Sequence, residues 1–364
     1  MSLYSTTETG LLAITQALQT SSDNLANSQT DGYKSELPIF ETLLGNNIGA
    51  DQVGGGAAVT GIQRNFAEGS INQTGISTDL AIQGDGFFIY QNSGGAQLYS
   101  RNGQITADQN GFLSGPGGQE LMGFGVDAAG NAQGVLGPLS VSAGLIQPAA
   151  STKVALTGNL DASDPVLTGT IDPTKPATYN YSTSVPVYDS LGNSHVLTYF
   201  FQNAGPDSGN PGDELWKWTA TLDGTTTGLA NNTGTLDFDS TGKLVIGGTP
   251  ASSLTATLTD GAASLKLGLN FTALTQYAST DLISGIADGN SPGQPSGVQI
   301  DATGLVSITY SNGIVKNAGR VAIATFASDQ GLQLAQGGMF LAGAAAGQAT
   351  VGIPGAGTAG QLQV

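Results

Sequence analysis

Cysteine is absent from this chain of 364 residues, and histidine occurs only once. Without cysteine the chain can form no disulfide, no thiolate metal site and no thiol nucleophile. Basic residues are also scarce, because ten Lys and Arg stand against 27 Asp and Glu, for a net charge of −17. Binding to phosphates needs a basic surface, so neither nucleic acid nor an anionic membrane is expected as a partner.

Two further absences concern membranes and export. No apolar run approaches the roughly 18 residues of a membrane-spanning helix, so membrane insertion is not expected. The first ten residues, MSLYSTTETG, lack the basic start and the apolar core of a secretory signal peptide. The composition therefore suits a cytosolic protein, or equally a protein that is exported unfolded without a cleaved signal.

The abundant residue is glycine, with 55 positions, while charged residues make up only 10% of the chain. An ordinary domain has about 25% charged residues. Serine, threonine, asparagine and glutamine supply the polarity instead. Such a composition favours many short strands joined by tight turns, so the sequence predicts a mainly β fold.

One helix is predicted, over about residues 4–28. Tyr4, Leu11, Leu18 and Leu25 recur at a spacing of seven residues, and Ile14 lies between two of them. Together these five residues form a narrow apolar seam along the helix. A narrow seam is typical of a helix that packs against another helix, so these residues are expected to form a subunit-packing face. The alternative is an amphipathic N-terminal helix that docks on its own domain.

The rest of the chain divides by composition. Gly-rich breakers follow the helix, strand patterns begin near residue 71, and the composition shifts near 147 and returns near 281. Insertion of one domain into an exposed loop of another is physically easy. The sequence predicts an N-terminal helix plus two β-sandwich or barrel-like domains: residues 1–35, a connector over 36–70, an inner domain from 71–146 with 281–364, and an inserted outer domain over 147–280. The tail from about residue 345 is Gly/Ala-rich with no sustained period.

Turn signals place several hairpins. Three short segments that contain glycine each separate two apolar runs, which is the pattern of a β-hairpin. They are Leu-Gly-Asn at 191–193, Ser-Thr-Gly at 240–242 and Asn-Gly at 312–313. Within LWKWTATL, Trp216 and Trp218 alternate with polar residues, as in a half-buried strand.

No catalytic, cofactor or metal site is predicted. The single histidine, His195, has Asp189, Ser190 and Ser194 near it in sequence, but all flank a predicted hairpin turn where such residues are common. A hydrolytic triad would need these groups in a defined geometry. A pair of carboxylates for glycoside hydrolysis stays open, since 27 acidic residues allow many pairs and the sequence singles out none.

The polar exit of the helix carries a resemblance. NLANSQTDGYKS, residues 24–35, resembles the N-terminal signature of bacterial flagellar rod and hook axial proteins. The residues that match this signature are Asn24, Leu25, Ala26, Asn27, Thr30, Gly32, Tyr33 and Lys34. Further segments resemble the family in order along the chain: residues 65–90, 99–113, 185–201 and 318–332.

The resemblance implies a structural protein of the flagellum rather than an enzyme. Its inserted block favours the hook subunits, which polymerise into a flexible tube between rod and filament, over the distal rod proteins. The implied partners are further copies of the chain in a helical homopolymer, the rod, hook-cap and hook–filament junction proteins, and the flagellar type III export apparatus. The implied location is the extracellular part of the flagellum. A secreted β-rich carbohydrate-binding module or enzyme is the alternative from another class.

The resemblance also implies a second, C-terminal helix that pairs with the first. The sequence stops at Val364, near where the run into such a helix would begin. We therefore expect the partner helix to be missing because the chain is incomplete.

Overall fold

The computed structural model describes the backbone of residues 3–48, 51–142, 144–246 and 253–364. The fold is mainly β with an N-terminal helix, as predicted. None of the helices in these ranges has both the length and the apolarity to span a membrane. Helix α1 covers Leu3–Ala26, and three single 3-10 turns cover Pro176–Thr178, Asp329–Gly331 and Gln336–Gly338.

The strands fall into three groups along the chain. The first group is β1 Glu36–Ile48, β2 Asp51–Arg64, β3 Ala81–Gln83, β4 Phe87–Gln91, β5 Gln97–Ser100, β6 Thr106–Ala107, β7 Leu113–Ser114, β8 Glu120–Val126 and β9 Ala132–Pro138. The second group is β10 Lys153–Asp161, β11 Tyr181–Tyr188, β12 Ser194–Pro206, β13 Glu214–Leu222, β14 Leu229–Ala230, β15 Thr233–Phe238, β16 Leu244–Ile246, β17 Ser253–Ala256, β18 Leu265–Tyr277 and β19 Leu282–Ala287. The third group is β20 Pro295–Ile300, β21 Leu305–Tyr310, β22 Val315–Val321, β23 Ile323–Thr325, β24 Leu332–Leu334, β25 Phe340–Ala342, β26 Thr350–Gly352 and β27 Gln361–Gln363.

The chain forms two compact units. The first unit contains Met1–Gly144, Pro295–Tyr310 and Ile314–Val364, and the second contains Leu145–Gln294 with Ser311–Gly313. Residues 281–294, which the sequence analysis assigned to the inner domain, therefore lie in the second unit. The reason is strand pairing, because β19 runs antiparallel to β10 along its whole length.

In the first unit, the stretch expected as a connector contains a long antiparallel hairpin of β1 and β2. The remaining strands of this unit form one irregular sheet, in which β4 pairs with β5, β8 and β23, together with the separate pair of β3 and β27. Its core is aromatic: Phe87, Tyr99 and Phe340 are buried, and Phe66 and Phe326 pack against them. Strands β26 and β27 lie in the tail that the sequence left without a pattern.

The second unit is a sandwich of two five-stranded sheets. One sheet has the order β14-β17-β18-β10-β19 and the other has the order β11-β12-β13-β15-β16. Both sheets contribute side chains to one apolar core. In this core the ring of Trp218 contacts the rings of Tyr199 and Phe271, and Trp216 is fully buried. The second unit therefore has a core of its own and matches the predicted sandwich class.

Local predictions can be compared directly. The hairpins at 191–193, 240–242 and 312–313 are confirmed by the pairs β11–β12, β15–β16 and β21–β22. The helix ends two residues earlier than predicted, at Ala26. Strand β13 is not half-buried as predicted, because Thr219 and Thr221 on its second face are also buried.

Candidate functional site: the helix face and the helix exit

Helix α1 has one packed face and one open face. The packed face lies against the β1–β2 hairpin and is built from small and polar residues: Thr6, Thr9, Gly10, Ala13, Ala17, Thr20 and Asn24. Ala13 and Thr20 are both 4% exposed. The spacing of three and four residues in this row is that of one helix face. Small side chains let the helix backbone approach the hairpin closely.

The closest approach is at the glycines of β2. The hydroxyl of Thr9 donates to the carbonyl of Thr6 at 3.0 Å, and its oxygen lies 3.4 Å from the carbonyl oxygen of Gly55. Gly56 has a φ of +99°, and any Cβ there would overlap the Thr9 hydroxyl. The glycines of β2 thus allow the helix to pack closely against the strand.

The open face carries large apolar side chains among polar ones. Leu11, Leu12, Ile14, Leu18 and Leu25 are between 63% and 75% exposed, although they are among the most apolar residues of the helix. The sequence analysis found four of these residues and missed Leu12, which lies outside the spacing of seven. The side chain of Tyr4, the remaining predicted member, lies outside the described side chains. We call the five exposed residues the leucine face.

The chain leaves the helix through a series of local hydrogen bonds. The Asn27 side chain donates to the carbonyl of Asp23 at 3.0 Å, and the Ser28 hydroxyl donates to the carbonyl of Leu25 at 2.8 Å. The Thr30 hydroxyl donates to the Asn27 side-chain oxygen at 3.3 Å. The backbone N–H groups of Asn27 and Ser28 donate to the same two carbonyls, so each carbonyl accepts one backbone and one side-chain hydrogen bond. The Ser28 N–H reaches the carbonyl of Leu25, three residues back, so the last turn tightens and the helix ends before residue 28.

Asn24 connects the helix to the hairpin. Its side-chain amide donates to the carbonyl of Glu36 at 2.8 Å, and its oxygen accepts the Glu36 N–H at 2.9 Å. The same oxygen accepts the hydroxyl of Tyr33 at 3.0 Å. One asparagine therefore pairs with the first residue of β1 as a neighbouring strand would, and it uses both ends of its amide to do so.

Gly32 connects the helix exit to the inner sheet. Its φ of +75° is a left-handed value that favours glycine. A Cβ on Gly32 would lie 2.5 Å from the backbone nitrogen of Asn102, so this segment is pressed against backbone. Beside it, the Gln104 amide donates to the Asp31 carboxylate at 2.8 Å.

Charged residues complete this junction. Lys34 donates to the carbonyls of Ala67 and Phe66 at 2.9 and 3.3 Å. Burial, and then the charge of Arg101, lower the pKa of the Lys34 ammonium. Arg64 pairs with Glu36 at 3.0 Å and donates to the carbonyl of Leu332 at 3.1 Å. The end of the hairpin is thereby tied to the third group of strands.

The signature residues thus divide into two sets. Asn24, Gly32, Tyr33 and Lys34 make contacts within the first unit, and Asn27 makes contacts at the helix end. Leu25, Ala26 and Thr30 are exposed. The first set fixes the angle at which the helix and hairpin leave the inner sheet, and the second set continues the open surface of the helix.

His195 is not in a hydrolytic arrangement. Its Nδ1 lies 2.7 Å from the Asp223 carboxylate, and its Nε2 lies 3.5 Å from the Asp189 carboxylate. Asp189 was noted from the sequence, whereas Asp223 was missed because it is far along the chain. Ser190, the nearest sequence candidate for a nucleophile, accepts the N–H of Ala263 instead.

Comparison with known proteins adds a family. Residues 81–159 match the family model described as the flagellar hook protein FlgE/F/G D1 domain, and residues 159–289 match the flagellar basal body protein FlaE D2 domain. The flagellar hook protein FlgE of Brucella abortus is 31% identical, over 97% of this chain and 86% of its own length. The FlgE of Escherichia coli is 30% identical, over 99% of this chain and 88% of its own length.

A solved structure agrees in fold. The crystal structure of the Helicobacter pylori flagellar hook protein FlgE2 superposes with a TM-score of 0.55 at 15% sequence identity. The match covers 79% of this chain and 98% of that one. At this identity the comparison speaks for the fold alone.

Proposed function

This chain belongs to the flagellar hook protein family FlgE, whose members are structural proteins of the flagellum and not enzymes, and from that membership we propose how it works. It polymerises with further copies into the tube of the hook, and the tube transmits torque from the rod to the filament. The alternatives of a distal rod protein or of a secreted carbohydrate-binding module or enzyme are not favoured by the relatives it matches.

The leucine face carries this proposal. A helix whose polar side packs on its own hairpin and whose apolar side faces outward has the reverse of the usual arrangement in a monomer. Full burial of one Leu or Ile side chain contributes about 1.5–3 kcal/mol. Covering the five exposed side chains with neighbouring subunits would therefore favour assembly.

The parts of the chain take separate roles in this proposal. Residues 1–35 form the core of the tube, and the connector of 36–70, which contains the β1–β2 hairpin, joins this core to the inner domain. The signature residues Asn24, Gly32 and Lys34 hold the helix at a set angle to the first unit, so that load on the β-domains reaches the packed helices. The rod, the hook cap and the hook–filament junction proteins are the expected neighbours at the ends of the tube.

The proposal also covers the route of export. We propose that the chain passes unfolded through the flagellar type III apparatus and folds outside the cell. The lack of cysteine is compatible with this route, because no disulfide has to form afterwards.

The test is the substitution Leu18→Asp. Leu18 is 67% exposed, so the isolated chain is expected to fold normally, with unchanged near-UV circular dichroism and thermal midpoint. In the polymer the new charge would have to be buried, at a cost of several kcal/mol. We expect hook assembly and motility to be lost in cells that carry only this variant.

The control is Gln19→Asp on the adjacent exposed position. It introduces the same side chain about 100° around the helix from Leu18, next to Leu12 and outside the row of Leu11, Leu18 and Leu25. Hooks of normal length with Leu18→Asp would show that the leucine face is not where subunits pack. Loss of assembly with both variants would assign the effect to the helix as a whole.

A further inference from the structure

The only histidine of the chain lies close to several carboxylates at one end of the second unit. Asp189 lies in the turn between β11 and β12, His195 is the second residue of β12, and Asp260 lies in the loop between β17 and β18. One ligand atom from each of the three residues lies within 4.8 Å of the other two. The residues come from two different sheets, so the cluster is formed only by the folded sandwich.

The orientation of the imidazole is fixed. Nδ1 lies 2.7 Å from the Asp223 carboxylate, and that carboxylate also accepts the N–H of Val196 at 2.8 Å. The carboxylate can only accept, so Nδ1 carries the proton. In the neutral ring the Nε2 atom then presents its lone pair. This atom is buried and has no hydrogen-bond partner.

The group that faces Nε2 is a carboxylate with no freedom to turn away. Asp189 is fully buried, and one of its oxygens accepts the N–H groups of Leu191 and Asn193, both at 2.8 Å. Its second oxygen accepts the Asn193 amide at 2.8 Å.

Nε2 and carboxylate oxygens of Asp189 and Asp260 therefore lie within 4.8 Å of one another, and a cation among them would balance the two negative charges. We propose that Asp189, His195 and Asp260 bind a divalent transition-metal ion of the Zn²⁺ class. Asp223 acts behind the ligands as the carboxylate that orients the imidazole, an arrangement typical of zinc-bound histidines.

The spacing fits this ion. Two ligand atoms about 2.0–2.1 Å from a tetrahedral zinc lie about 3.4 Å apart, and Nε2 lies 3.5 Å from the Asp189 oxygen. That distance is too long for a good hydrogen bond. Imidazole also favours zinc over magnesium or calcium, which prefer ligand sets made only of oxygen. Water would complete the coordination.

The role of the ion is to join loops of both sheets at one end of the sandwich. A ligand that binds only the folded state raises the free energy of unfolding by mass action. The site therefore stabilises the second unit and has no catalytic part in the proposal.

The test uses the full chain after treatment with a chelator. Titration with ZnCl₂ at pH 7.5, followed by calorimetry, should saturate at about one equivalent, and Zn²⁺ should raise the thermal midpoint read by tryptophan fluorescence. His195→Gln and Asp260→Asn should abolish saturation. Asp223→Asn should weaken binding by about 10- to 100-fold, as loss of an orienting partner does.

Asp239→Asn is the matched control. Asp239 accepts the N–H groups of Thr241 and Lys243 in a turn of the same kind, but no histidine faces it. It should bind Zn²⁺ like the unmodified chain. Absence of saturable binding, or unchanged binding by Asp260→Asn, would overturn the proposal. Asp260 is exposed, so this variant decides the question even where His195→Gln fails to fold.

Discussion

Single residues at the helix exit act through backbone geometry and through paired hydrogen bonds. Gly32 combines a left-handed φ with direct contact to the backbone of the inner sheet, and Asn24 pairs with both backbone groups of Glu36. Neither residue contributes much apolar surface. Their effect is to fix one geometry of the junction among the many that a flexible exit would allow.

Gly32→Ala should destabilise the first unit. The positive φ costs about 1–2 kcal/mol for a residue with a Cβ, and the Cβ would also lie 2.5 Å from the Asn102 nitrogen. We expect a lower urea midpoint in tyrosine circular dichroism and faster proteolysis near residues 27–35.

Gly75→Ala provides the comparison for this prediction. Gly75 has nearly the same φ, +74°, but no atom lies within 4 Å of a Cβ built there. The difference between the two variants therefore isolates the contact with the inner sheet. Equal destabilisation by both would mean that Gly32 matters only for its dihedral angle.

At the scale of elements, α1 is held by its polar side. The stripe of threonine, alanine and glycine allows close packing on the hairpin, while the leucine face remains for other chains. Because small side chains bury little area, the helix gains less from this contact than an amphipathic helix gains from its apolar face. Its own propensity therefore weighs heavily in its stability.

Gly10→Ala should stabilise the helix. Gly10 lies within α1, and a Cβ there would meet no atom within 4 Å. Alanine is about 1 kcal/mol more favourable than glycine in a helix interior. The far-UV signal at 222 nm should strengthen, and proteolysis within residues 5–20 should slow.

Gly56→Ala tests the opposite side of the same contact. Gly56 has a φ of +99°, and a Cβ there would overlap the Thr9 hydroxyl. This variant should loosen the helix from the hairpin and speed proteolysis within the same residues. A rise in helix protection would show that the packed face has been placed incorrectly.

At the scale of the whole molecule, the charge is strongly negative and some carboxylates lie close together. Burial, then the charges of Asp281 and Asp161, raise the pKa of Asp164 to about 6. The folded chain therefore holds a proton that the unfolded chain releases at lower pH. The resulting contribution to stability is fully present below the ordinary pKa and is lost as the pH rises through about 6.

Asp164→Asn should therefore stabilise the second unit at pH 8 and have little effect at pH 4. Both tryptophans of the chain, Trp216 and Trp218, are buried in this unit, so their fluorescence during urea unfolding reports on it selectively. A stabilisation that is equal at both pH values would contradict the assignment.

Asp172→Asn should show the opposite sign. Hydrogen bonds from Lys175 and Thr174 lower the pKa of this exposed carboxylate to about 2. Its contribution is present above the ordinary pKa and is lost as the pH falls through about 2. At pH 8 its removal should destabilise slightly, since exposed ion pairs contribute little.

Features that depend on local chemistry could be predicted from the sequence. Turn residues placed the hairpins at 191–193 and 312–313, the spacing of leucines placed the helix, and the polar residues after it placed its end within two positions. These features depend on neighbouring residues in the chain, whose preferences can be recognised one segment at a time.

Contacts between distant segments could not be predicted and are visible only in the folded chain. The segment before β11 covers the outer face of β12. The ring centroids of Tyr179 and Phe200 lie 4.9 Å apart there, and the Gln202 amide donates to the carbonyl of Thr178. Strand β10 pairs in parallel with β18, more than a hundred residues away. His195 meets Asp223, 28 residues further on, at the end of the neighbouring strand β13. No local pattern encodes such pairs, because they arise from the pairing of strands and segments that are separated along the chain.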